Sequence, residues 1–148
     1  MPKWLKVALI LLGLGVLGVG LLVGGLVWWV RANKDRIARE GGAAQRAGKA
    51  FGATHAQSEC VDDALVQLAS CGKVDFMCEA FAKVRLTSCM PVARVDGTCK
   101  AVPAPSEIMS VVHWSNLECR RRGQPGSQAC GRLMSGVAEA CAKVGPGR

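Results

Sequence analysis

The chain has 148 residues, half of them hydrophobic, with eight cysteines and a formal charge of +8. Setting aside the apolar N-terminal run leaves about 90 residues, one small domain with a marginal core, so an even set of cysteines reads as stabilising disulfides in an oxidising compartment. The charge does not call for nucleic acid: residues 1–54 hold eight Lys/Arg against two acids and residues 55–148 eleven against nine, so the excess flanks the apolar run, where cations meet anionic headgroups.

From Val7 to Val30 no residue is charged. As a helix this run is about 36 Å long, enough to cross a hydrocarbon core of ~30 Å with some tilt. Lys3 and Lys6 precede it, Arg31 follows it, and Trp4, Trp28 and Trp29 fall at interfacial levels. A transmembrane anchor over residues 1–30 is expected rather than a cleaved signal peptide, whose apolar region is shorter. Gly13, Gly20 and Gly24 share one face, and Gly20 and Gly24 form a G-x-x-x-G match that fits a homodimer through the membrane helix. Two topology rules disagree. Arg31, Lys34, Arg36 and Arg39 outnumber Lys3 and Lys6, which favours a cytoplasmic C-terminal part, whereas the cysteines favour the oxidising side. The cysteine argument is the more specific and is preferred.

Residues 31–57 read as a polar, Ala/Gly-rich stalk, with Gly41-Gly42 expected to interrupt the helix that leaves the membrane. His55 stands alone there as a solvated side chain.

Residues 58–144 read as the cysteine-rich helical domain. Cys60, Cys71, Cys78 and Cys89 follow the pattern Cys-x10-Cys-x6-Cys-x10-Cys. A spacing of eleven is three helical turns plus about 20°, so each pair projects from one face of a helix. In an antiparallel hairpin, matched positions have a constant sum, and Cys60 with Cys89 and Cys71 with Cys78 both give 149. One register closes both bridges. The first helix is expected to start at a Ser58 cap and bury Val61, Leu65 and Leu68. The second is expected to start at an Asp75 cap, with Phe81, Ala82 and Leu86 beside its cysteines and Pro91 as its stop.

Residues 91–105 read as a loop. A third helix is expected from a Ser106 cap, with Ile108, Val111, Val112, Ser115 and Cys119 at helical spacing, and a fourth from Ser127 through Leu133 and Val137 to Val144, before Gly145-Pro146. Gly123-Gln124-Pro125-Gly126 is a turn across which Cys119 reaches Cys130, leaving Cys99 for Cys141. The exchanged pairing, Cys119–Cys141 with Cys99–Cys130, is the alternative. The fold class is therefore all-α: one transmembrane helix and a small disulfide-stapled domain of about four helices in two hairpins.

Chemical signatures are sparse. Zinc sites bring cysteines together two to four residues apart, and cysteines eleven apart on one helix are separated by about 16 Å, so neither a metal nor a cofactor is expected. Hydrolase motifs and a phosphate-binding glycine loop are absent, and His113 has no nucleophile at a known spacing. Cys78 lies in a helical first turn, which leaves a thiol-disulfide or redox-sensing role of the Cys71/Cys78 pair as the alternative function. Arg120, Arg121 and Arg122 form a dense cation cluster, the candidate contact for an anion or acidic partner.

Over about 30 residues the Cys60–Cys89 pattern resembles the twin Cys-x9-Cys helical hairpins of the mitochondrial intermembrane space, with one extra residue in each helix. The resemblance implies shared staple physics and carries no function over. A composition rich in Ala, Gly, Val and Arg leans toward a GC-rich bacterial genome, hence toward a bacterial inner membrane with the C-terminal domain in the periplasm. The expected function is a non-enzymatic binding or scaffold module, its partner a protein and not a nucleic acid.

Overall fold

The computed structural model describes residues 3–72 and 75–145, with the side chains of Lys3 and residues 5–11 outside the description; the expected basic flank at Lys3 and Lys6 and the stop at Pro146 therefore lie outside the described residues. Five α-helices and one 3-10 turn account for the architecture, and no β-strand occurs among the described residues. They are α1 (Lys3–Gly52), α2 (Gln57–Ala69), α3 (Phe76–Cys89), the 3-10 turn (Thr98–Ala101), α4 (Ile108–Arg121) and α5 (Gln128–Val144). The chain divides into two compact units, Met1–Arg39 and Glu40–Arg148.

The first unit is helical through its described length and exposes its apolar side chains, among them Leu14, Leu17, Leu22 and Trp28. By length and composition α1 is apolar enough to cross a membrane.

The second unit begins earlier than the sequence suggests. Helix α1 does not break at Gly41-Gly42 but runs on to Gly52. These two glycines have low helical propensity, and contacts farther along the same helix hold the segment in place. A Cβ built on Gly48 would stand 2.2 Å from the Arg85 carbonyl oxygen, and one on Gly52 would stand 2.5 Å from that of Cys89. Only glycine lets the two helix backbones approach so closely. Phe51, on the same segment, packs against the core, so residues 40–52 belong to the folded unit and are not a free spacer.

Beyond α1 the chain folds as two hairpins. In the first, α2 lies against α3; in the second, α4 lies against α5, and α5 also packs on α2 and α3. The core between them is built from Val61, Ala64, Leu65, Leu68, Leu86, Met90, Leu133, Met134 and Val137 together with six of the cysteines. Val61, Leu65 and Leu68 recur along one stripe of α2, which is why that face is buried.

Local signals set the helix ends, with differences. Asp75 caps α3, its carboxylate accepting the Cys78 N–H at 3.0 Å, and Ser127 caps α5, accepting the Cys130 N–H at 3.2 Å. Helix α2 starts at Gln57 rather than after Ser58, because Glu59 reaches back to accept the Ala56 N–H at 2.6 Å and the Ser58 N–H is taken by Asp96. Glu107, not Ser106, precedes the first residue of α4. Before α2, Gln57 N–H donates to Arg94 O and Arg94 N–H to His55 O, an isolated bridge that ties this junction to the loop after α3. Gly123 and Gly126, both at φ near +70° (73° and 72°), supply the left-handed backbone that reverses the chain between α4 and α5.

Candidate functional site

All eight cysteines are bonded: Cys60–Cys89, Cys71–Cys78, Cys99–Cys141 and Cys119–Cys130. Their Cα separations are 5.9, 5.7, 5.3 and 6.0 Å in that order, within the reach of a disulfide. The first two bridges are the rungs of the antiparallel hairpin in the register that sums to 149. The exchanged pairing of Cys99, Cys119, Cys130 and Cys141 does not occur. Six of these cysteines are buried, and only Cys71 and Cys78 are half-exposed.

The arginine triplet is not a patch of three free cations. Successive helical positions fan out by about 100°, so the three side chains point apart. Arg122 turns inward, pairing with Glu118 at 3.1 Å and with Asp62 of α2, and thereby straps the second hairpin to the first. Arg121 meets Glu118 at 3.5 Å, and Arg120 is exposed, with no ion pair among the described residues. His113 is fully at the surface. His55 stacks on Phe51 with ring centroids 3.7 Å apart, its Nδ1 within 2.8 Å of the Phe51 carbonyl oxygen and 2.9 Å of Thr54 Oγ1, and is thus a packed side chain rather than a solvated one. Gly13, Gly20 and Gly24 have open space where a Cβ would stand. No group of three or more His, Cys, Asp or Glu side chains comes together as a metal site among the described residues.

A cleft between α3 and α5 is a surface feature that the sequence did not single out. Its apolar lobe has a volume of about 260 Å³ and is lined by Leu68, Phe76, Ala80, Ala129 and Leu133. Phe76, the first residue of α3, lines this lobe and is 67% exposed. Two ion pairs join the helices beside it: Arg132 of α5 grips Glu79 of α3 at 2.6 and 3.0 Å, and Lys83 meets Glu139 at 2.9 Å. A second, more polar lobe of about 320 Å³ shares Leu68, Glu79, Ala129 and Arg132 and extends to Cys71, Gly72, Ser127 and Gln128. Each wall alone looks like an ordinary amphipathic helix. The cleft exists only because two helices distant in sequence stand side by side.

Asp96 is the most perturbed carboxylate. Partial burial pushes its pKa up, but the hydroxyls and N–H groups of Ser58 and Thr98 bond the charged form and together outweigh burial, holding it well below the ordinary 3.8. It pins the 3-10 turn to the start of α2 and belongs to the framework. Comparison with protein-family models, curated proteins and solved structures finds no match for this chain.

Proposed function

We propose that this chain is a membrane-anchored, extracytoplasmic, non-enzymatic binding or scaffold module that receives a protein partner in the cleft between α3 and α5. The observation that carries this reading is Phe76, an exposed aromatic ring at an apolar cleft whose α3 wall is stapled to α2 by two disulfides and joined to α5 by two ion pairs. An apolar concavity edged by polar groups is the kind of surface on which a partner buries side chains, and a rigid frame loses little entropy on binding. The apolar α1 supports the anchor, and four disulfides support the oxidising side of the membrane. With the composition, these favour a bacterial inner membrane and a periplasmic domain. The open small-residue face at Gly13, Gly20 and Gly24 supports a homodimer through the membrane helix.

The test is a photo-crosslinking residue placed at position 76 of the full chain in native membranes. A discrete protein adduct that disappears with Ala80→Arg, a change at an exposed position of the cleft wall, supports the reading. An absent adduct, or one indifferent to that substitution, rejects the cleft as the binding surface.

A further inference from the structure

We infer that the Cys71–Cys78 bridge is a thiol-disulfide exchange site, attacked at Cys71 by an external thiolate that enters through the polar lobe of the cleft. Three independent observations converge on this bridge. It alone of the four has both cysteines half-exposed, whereas the six other cysteines lie in the interior. It closes the shortest loop, with a sequence separation of 7 against 11, 29 and 42, so in chain-entropy terms its loss relaxes the unfolded chain least and leaves three bridges holding the fold. Cys71, but not Cys78, lines the lobe of about 320 Å³ whose other walls include Gly72, Gln128 and the Arg132–Glu79 ion pair.

This asymmetry assigns the two sulfurs different parts. The incoming thiolate forms a bond to Cys71 Sγ as the Cys71–Cys78 bond breaks, and Cys78 departs with the electron pair as a thiolate. Cys78 is the third residue of α3, where the N-terminal dipole favours a leaving thiolate and the Asp75 carboxylate on the Cys78 N–H opposes it, so the choice of sulfur rests on the access that the lobe gives to Cys71. A second external thiol then attacks the outer sulfur of the mixed disulfide and releases Cys71 as a thiolate. In sum two external thiols become one disulfide, and two electrons reduce the protein bridge. The same path in reverse lets the Cys71/Cys78 dithiol reduce an external disulfide. The co-reactant is a small thiol, or a thiol on an extended chain narrow enough for the lobe.

The experiment uses the full chain in detergent micelles with reduced glutathione as the probe, acid quenching, alkylation of free thiols and peptide mass spectrometry. The expected product carries glutathione on Cys71 and the alkylating group on Cys78, forms about tenfold or more faster than any adduct at the other six cysteines, and appears with the helical circular dichroism unchanged. Gln128→Trp, which crowds the lobe from an exposed position in the first turn of α5, is expected to slow it about tenfold through loss of access. Glutathione on Cys78, equal rates at all four bridges, reaction only as helix is lost, or a Gln128→Trp rate equal to that of the unsubstituted chain would each overturn the assignment.

Discussion

Asp63 and Arg85 show how a single pair can matter in a domain this small. Arg85 of α3 holds the Asp63 carboxylate of α2 with two bonds at 2.5 and 3.1 Å, and both side chains are largely shielded, at 22% and 15% exposure. The Lys83–Glu139 pair is far more open, at 37% and 48%. Asp63→Asn is therefore expected to cost about 1–3 kcal/mol in urea unfolding with the disulfides intact, and Glu139→Gln within about 0.5 kcal/mol of nothing. Equal losses would show that shielding is not what separates them. Asp96 makes a prediction in pH. Its pKa is lowered in the folded state, so its contribution is complete above its ordinary 3.8 and is lost as pH falls below that value. Hydrogen-exchange protection of the Ser58 and Thr98 N–H groups, both donors to Asp96, should hold at pH 5 and still be present at pH 3, where an unperturbed carboxylate would already have released them. The caps at Asp75 and Ser127 were legible in the sequence because a cap is a local device. The burial of Gln57 was not, because its backbone N–H bonds the Arg94 carbonyl oxygen, a contact across 37 positions of chain.

Helices α2 and α3 were foreshadowed by cysteine arithmetic, since cysteines at eleven-residue spacing leave one antiparallel register that closes both bridges, while α4 and α5 were legible from caps and apolar periodicity. What the arithmetic missed was the contribution of α1. Two adjacent glycines in a polar stretch read as a break, and only the backbone of α3, distant in sequence, turns Gly48 and Gly52 into contact points. Gly48→Ala places a methyl group against the Arg85 carbonyl and should destabilise the unit by about 1–3 kcal/mol or lift residues 40–52 off α3. Gly131→Ala, on α5 with nothing within 4 Å of its Cβ, should instead stabilise by about 0.5–1 kcal/mol through helix propensity. Thermal denaturation of the two variants side by side checks the pair, and a neutral Gly48→Ala would mean that the close approach does not hold the segment. Arg122 is the matching lesson from the other hairpin. As one of three consecutive arginines it read as surface charge, yet as the residue that caps the end of α4 it reaches Asp62 and makes a strap between hairpins.

For the molecule as a whole, the fold class and the apolar helix were readable because composition and periodicity are summed along the chain. The cleft was not, because its walls come from α3 and α5 and no single stretch carries their juxtaposition. We propose that α1 tethers the disulfide-held domain to a membrane on its oxidising side. This arrangement is tested most directly by blocking free thiols in acid-quenched cells expressing the full chain, isolating the membrane fraction, and repeating the labelling after reduction. The six buried cysteines should resist labelling before reduction and all eight should accept it afterwards, in protein that stays with the membranes at high salt. Eight labelled cysteines before reduction, or a chain washed free of the membranes, would contradict it.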